Sequence, residues 1–322
     1  MRKLTKKYRV HLAGWLLLLA LLPVSCIKDD YAPKDKATVT VTFTTRALSN
    51  PTTDAGGLEA NEQMRTLRVI VARQNGEILY NLKYDIAEDE TSKTITFSEL
   101  TVNKDGEDFD FYAIANEDGT GFDDWGSVLV RTLNSRILGN IGILNKEQTV
   151  IPQTAKATIN VTPQESGIQP TIPLQFAVAK VRLTINNTST AEQTVSDINL
   201  FGVNTTSTKL FGGTPVTSAD TGEALSLGTM TDIPAETNGT PGKSTVYAYF
   251  YENTNNDYIL TATWEGSSKK FDIKTLGNLS EIKRGTELDI TITIKKNVTT
   301  PEDFFIQVNS WDSADMEIPE FQ

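Results

Sequence analysis

Between Ala37 and Thr45 the chain reads ATVTVTFTT, with Val39, Val41 and Phe43 on one side of a period of two and Thr38, Thr40, Thr42 and Thr44 on the other. That alternation predicts a half-buried strand. It stops at Arg46, and the residues from Ala47 to Glu62, with Pro51, Gly56 and Gly57, carry no periodicity and predict a linker. MRTLRVIVAR (64–73) sets Leu67, Val69 and Val71 against Arg65, Arg68 and Ile70, an imperfect strand pattern. Asn75-Gly76 then predicts a tight hairpin into ILYNLKY, with positive φ in the turn. SKTITFSEL (92–100) and EDFDFYAIAN (107–116) read as two more strands, joined across Asn103 to Gly106.

From Asp118 to Ile143 the spacing changes, and Val128, Leu129, Leu133 and Ile137 fall on one face of a short helix. Strands resume with KATINVTP (156–163). The run from Ile172 to Ile185 is apolar with little alternation, as expected of a strand buried on both faces or one that bridges two domains. The second half holds DINLFGV, a Thr/Gly/Ser/Ala-rich stretch from Asn204 to Gly242 that predicts long loops, then STVYAYFYEN, DYILTATWEG, KKFDIKTL and ELDITITIKKNV. STVYAYFYEN and DYILTATWEG are expected to form a hairpin across Asn253 to Asp257. The expected fold class is all-β, two tandem β-sandwich domains of transthyretin-like or Greek-key type with one short helical insertion. The domains divide as 47–172 and 173–322, with the boundary near Pro173.

The first 25 residues stand apart. Arg2, Lys3, Lys6, Lys7 and Arg9 precede the apolar run of HLAGWLLLLALLP, which is short for a membrane-spanning helix and ends at small residues, the pattern of an export signal. Cys26, the chain's single cysteine, follows Pro23-Val24-Ser25 and resembles a bacterial lipoprotein processing site, where the new N-terminal cysteine carries a diacylglycerol. Pro23 occupies a position usually held by leucine, and the other reading of the signal is a soluble secreted protein. Losing the five cations of the signal takes the formal net charge from −11 to −16. Such a chain is repelled by phosphate backbones, which argues against nucleic acid as a partner. His11, the single histidine, leaves with the signal, and the single cysteine is the lipidated Cys26, so the mature chain has neither an imidazole nor a free thiol, which excludes Ser-His-Asp and Cys-His catalysis, His-ligated metals and disulfides.

In order along the chain, the signal ending at Cys26, the alternating strand ending in TTRA, MRTLRVIV with its hairpin, FYAIAN before an acidic glycine loop, AVAKVRLTI, and IKRGTELDITITIK ahead of a last strand before Trp311 resemble the fimbrillin family of Bacteroidales, the subunits of type V pili. The resemblance covers nearly the whole mature chain. It implies a lipidated precursor at the cell outer membrane (26–46 being its propeptide), an arginine-specific surface protease that cuts between Arg46 and Ala47, and assembly with other pilus subunits into a fimbrium by accepting a neighbour's strand. The strand to be displaced is then Ala37 to Thr45, with Val39, Val41 and Phe43 as its buried row. The donor segment is either Phe304, Ile306 and Val308 or the row beginning Met316 and Ile318. The resemblance implies assembly rather than catalysis, with no cofactor expected, and leaves stalk, tip and anchor roles open.

Three readings compete at particular residues. The acidic loops KDGEDFD (104–110) and NEDGTGFDDW (116–125) hold enough carboxylates for calcium, without EF-hand spacing. Asp123 and Asp124 are adjacent, a poor arrangement for the two separated carboxyls of a glycosidase. Trp125, Trp264 and Trp311 with the VYAYFY tyrosines are candidates for a sugar-stacking platform, which keeps a surface glycan-binding lipoprotein of a polysaccharide-uptake system as the alternative.

Overall fold

A computed structural model describes residues 35–45, 58–88, 90–139, 150–163, 169–203, 205–212, 216–217, 224–253, 257–273, 281–294 and 304–310. The first part of the chain forms β1 (Asp35–Thr45), β2 (Thr66–Arg73), β3 (Ile78–Asp85), β4 (Ser92–Val102), β5 (Glu107–Ala115), β6 (Ile137–Gly139), β7 (Gln153–Val161) and β8 (Thr171–Phe176). All but β6 join one ladder in the order β3-β2-β5-β7-β8-β1-β4. The ladder folds over so that β4, β1 and β8 face β3, β2, β5 and β7. Val39, Val41, Phe43, Ile95, Phe97, Ile172 and Leu174 from one half pack with Leu67, Val69, Val71, Phe109 and Phe111 from the other. Edge-to-face ring contacts cross the layer from Phe97 to Phe111 and from Phe97 to Tyr80, with centroids 5.6 and 5.3 Å apart.

The rest of the chain forms β9 (Ala179–Asn187), β10 (Gln193–Phe201), β11 (Thr205–Lys209), β12 (Val216–Thr217), β13 (Leu225–Ile233), β14 (Gly242–Phe250), β15 (Ile259–Trp264), β16 (Ser267–Asp272), β17 (Thr286–Ile294) and β18 (Phe304–Ser310). Two four-stranded sheets, β13-β10-β15-β16 and β14-β9-β17-β18, enclose a second core that includes Val181, Leu183, Ile198, Leu260, Leu288 and Ile290. A small sheet, β12-β11-β6, ties the two parts together. So does a third apolar cluster, in which Ile70, Tyr112 and Ile114 on the outer face of β2 and β5 meet Trp125, Leu133 and Leu138 and, from the second part, Tyr249 and Tyr251.

Several expectations change. The helix shrinks to a single turn, Val130–Leu133, because the segment from Glu117 to Gly139 acts as a cover plate. Val128 and Leu133 point into the third cluster, but Leu129 and Ile137 are exposed. The run Ile172 to Ile185 is two strands, and the expected boundary at residue 173 falls inside β8, which pairs with β1 and β7; the chain changes sheets at Ala177-Val178. STVYAYFYEN and DYILTATWEG are not a hairpin: β14 pairs with β9, while β15 lies in the facing sheet beside β10 and β16. Spacing alone does not separate a hairpin from an arch whose two strands pack face to face. The tight two-residue turn lies instead at Glu265-Gly266, with φ of 49° and 71° at its two residues, and it joins β15 to β16. At Asn75-Gly76 only Gly76 has positive φ, 89°, and the β2–β3 ladder takes a bulge at Val71/Ala72. Within the expected loops of 204–242, β13 is a nine-residue strand burying Leu225, Leu227, Met230 and Ile233.

Candidate functional site

The first strand is an interior strand. On one edge β1 pairs antiparallel with β4 from Asp35↔Val102 to Thr44↔Ser92; on the other it pairs parallel with β8 from Thr42↔Thr171 to Thr45↔Leu174. Thr45 N donates to Thr91 O at 2.8 Å and Thr42 N to Pro170 O at 3.0 Å, so successive odd and even amides serve opposite neighbours. The inward row is Ala37, Val39, Val41, Phe43 and Thr45, all at most 5% exposed. Burial of the two valines and the phenylalanine stabilises by about 1.5–3 kcal/mol each. On the outer face Thr40 and Thr42 pair hydroxyl to hydroxyl with Thr96 and Thr94, at 3.0 and 2.9 Å. A bulge at Ser98-Glu99, where Glu99 takes φ of 65°, interrupts the register between Ala37↔Leu100 and Val39↔Phe97. Among the described residues β4 has no other partner in the ladder, so removing β1 unpairs β4 there and opens β8 at once.

Downstream of the 46–57 segment the chain is anchored again, this time to the second sandwich. Glu62 Oε1 accepts from Lys180 Nζ at 2.6 Å and from the Tyr249 hydroxyl at 2.7 Å, Oε2 accepts from Glu59 N at 2.9 Å, and the Glu62 carbonyl accepts from Gln153 Nε2 at 2.9 Å. Both charged side chains are 0% exposed. Glu59 and Glu287 lie 3.7 Å from Lys180 Nζ, and Arg182 Nε donates to Glu287 at 2.5 Å. Burial pushes the Glu62 carboxyl above its ordinary 4.5 and outweighs the pull of Lys180, and burial together with the Glu62 charge raises the Tyr249 hydroxyl. The sequence reasoning missed this knot. Its signal is Lys180 itself, a lysine inside the apolar run AVAKVRLTI, since a lysine in a buried strand requires a buried partner.

A second knot holds the β11 region: Arg284 donates to Glu252 at 2.8 and 3.1 Å, to Thr208 Oγ1 at 2.7 Å and to the carbonyls of Lys209 and Leu210 at 2.7 and 3.2 Å. Burial raises the Glu252 carboxyl, but hydrogen bonds from Arg284 outweigh it and hold the group below 4.5.

The other candidate residues fall in varied places. Cys26, Arg46, Ala47, Met316, Ile318 and Trp311 lie outside the described residues. Phe304, Ile306 and Val308 belong to β18, which pairs antiparallel with β17 through Phe304↔Ile292, Ile306↔Ile290 and Val308↔Leu288 and forms the edge of its own sheet. Arg65 and Arg68, the other arginines near the linker, are held by Ala60 O and by Glu117 and Asn81 respectively. Several carboxylates of the acidic loops are taken by protein partners. Asp110 accepts from Thr158 at 2.6 Å and Gln74 at 3.0 Å, Glu117 is held by Arg68 and Lys83, and Asp124 pairs with Arg136 at 2.5 Å. Trp125 is buried at 4%, with the Arg136 guanidinium 4.8 Å over its ring, and Trp264 packs on the second core with its Nε1 donating to Gln193 at 2.9 Å. The Trp125 ring is covered, whereas Trp264 is partly exposed beside Phe271 and Ile292.

The architecture is therefore that of a two-sandwich β protein whose first strand is sewn into the middle of a sheet and joined to the rest by a short segment. Solved structures of the same fold include fimbrial proteins. The tip fimbrial protein Mfa3 from Porphyromonas gingivalis, with C-terminal truncation, matches with a TM-score of 0.56 at 14% identity, over 86% of this chain and 100% of that one. A fimbrilin from the same organism matches with a TM-score of 0.53 at 10% identity over 87% and 99%, and a fimbrial assembly protein from Parabacteroides distasonis with 0.50 at 11% over 89% and 100%. No protein-family model matches the chain, and no curated protein matches it. The resemblance read from the sequence thus extends to the fold over most of the chain.

Proposed function

We propose that the chain is a structural subunit of a surface pilus that supports adhesion. It is made as a precursor lipidated at Cys26, cut between Arg46 and Ala47 by an arginine-specific surface protease, and joined to other pilus subunits by exchange of β1 for a neighbour's strand. The observation that carries this reading is the position of β1: its inward row sealed, its backbone paired on both edges, and its covalent link onward running through 46–57. While that connection is intact, β1 competes for its place at an effective concentration of about millimolar or more, and a strand from another molecule does not displace it. Cutting at Arg46 removes the advantage and also separates the body from Cys26 and its lipid. The Glu62–Lys180 knot supports the same reading from the other side, because it fixes the chain just downstream of the cut and confines the change to the slot. A vacated slot bounded by β4 and β8 presents unpaired backbone and an apolar floor, the requirements for strand addition.

The test is to isolate the surface form, read its N-terminus, and repeat with Arg46→Ala. The expected native form begins at Ala47 and runs in a high-molecular-weight ladder, and the variant stays full length and monomeric. A native protein beginning at Cys26, or a variant that still forms the ladder, refutes the reading.

A further inference from the structure

The buried row of β1 rises in size from Ala37 through Val39 and Val41 to Phe43. At its N-terminal end Ala37 sits opposite Leu100 and Val39 opposite Phe97; further along, Val41 is opposite Ile95; at the C-terminal end Phe43 lies between Lys93 of β4 and Ile172 of β8. The smallest residue of the row stands at the N-terminal end, where only β4 flanks it, and the one aromatic stands where β4 and β8 flank it on both edges. All of these positions are sealed, with Val41 and Phe43 at 0% exposure. In a sealed, close-packed row an undersized side chain leaves a cavity and an ionised one has no water. The direction of entry is fixed as well, since the occupant must run parallel to β8 and antiparallel to β4.

Resting on the strand-exchange reading above, we propose that this slot selects its occupant by that size order. It takes from a different subunit a strand with a small residue, two β-branched residues and then an aromatic at alternate positions, and it rejects the C-terminal segments of a second copy of this chain. The row Phe304, Ile306, Val308, Ser310 descends in size along the required direction and brings serine to the place of Phe43. In residues 311–322, setting Phe321 in the place of Phe43 puts Glu317 and Pro319 in the places of Val39 and Val41. Setting Met316 and Ile318 in the two valine places brings Glu320 to the place of Phe43. Setting Ile318 in the place of Phe43 puts Asp312 at Ala37 and Pro319 at Thr44; by the alternation that sends the Thr42 amide to Pro170 O, position 44 faces β8, where proline has no N–H to give. Each register of the second copy therefore meets a charge, a proline or a void.

The experiment uses the full chain cut at Arg46 by an arginine-specific protease, incubated with a fluorescent peptide of sequence ATVTVTFTT. Unlabelled competitors are the same peptide, its variant with alanine in place of the phenylalanine, and WDSADMEIPEFQ. The expected result is uptake of the labelled peptide, competition by its unlabelled form, and competition roughly 100-fold weaker from the alanine variant and from WDSADMEIPEFQ. Equal competition by WDSADMEIPEFQ or by the alanine variant, with the native peptide still taken up, overturns the selectivity alone. A cut protein that retains β1 and takes up no peptide overturns the exchange reading and the selectivity together.

Discussion

Phe43→Ala is the sharpest probe of how β1 is held. The side chain is 0% exposed, and its row neighbours Val41 and Thr45 are sealed with it, so the space it vacates has no path to solvent and little freedom to collapse. Truncating a phenylalanine in such a site destabilises by about 3–5 kcal/mol, the sum of lost transfer energy and the cavity left behind. Thr40→Ala on the same strand provides the contrast. It removes a solvent-facing hydroxyl pair with Thr96 at 3.0 Å and is expected to cost at most about 1 kcal/mol. Equilibrium urea unfolding of the uncut protein, followed by fluorescence and by far-ultraviolet circular dichroism, gives both values from shifts in midpoint at constant slope. In the protein cut at Arg46 the phenylalanine variant should also lose its first strand faster, read by mass spectrometry of the intact complex. A Phe43→Ala loss below about 1 kcal/mol, or one equal to that of Thr40→Ala, refutes the placement of Phe43 in a filled slot between β4 and β8.

Two further outcomes follow from the buried charges. Lys180→Met should destabilise by about 3–5 kcal/mol, because it strands the Glu62 carboxylate beside Tyr249 without a cation, and adding Glu62→Gln should restore much of the loss; a double variant no better than the single one would show that the pair is not coupled as the 2.6 Å contact requires. Glu252 is held below its ordinary 4.5 by Arg284 against the effect of burial, so the stability it contributes is present above about pH 4.5 and is lost as pH falls through its folded value. Urea midpoints measured from pH 7 to pH 3 should therefore decline below 4.5 in the parent chain and decline less steeply in Glu252→Gln. Identical pH profiles for the two proteins would remove that assignment.

Strand identity along much of the chain was legible in the sequence, because a period of two is a local property: ATVTVTFTT, SKTITFSEL and ELDITITI each read as strands and are strands. The all-β class followed, as did the segregation of Val39, Val41 and Phe43 from the threonines. Local pattern failed where burial came from both sides. Ile70 and Tyr112 lie on what β2 and β5 would otherwise present to solvent, and they are sealed by a segment whose own spacing imitated a helix. Pairing partners were not legible either. That β14 and β15 belong to facing sheets, that β8 closes the first sheet rather than opening the second, and that β1 is flanked on both edges are facts about residues 48 to 129 positions apart. No window of sequence contains the hydrogen bonds that decide them. The sequence determined that ATVTVTFTT would be a strand with one apolar face, since the alternation of its side chains permits little else. Only the tertiary structure decided that this strand is interior, parallel to one neighbour and antiparallel to the other, because that choice rests on which distant edges are left unpaired when the rest of the chain has folded.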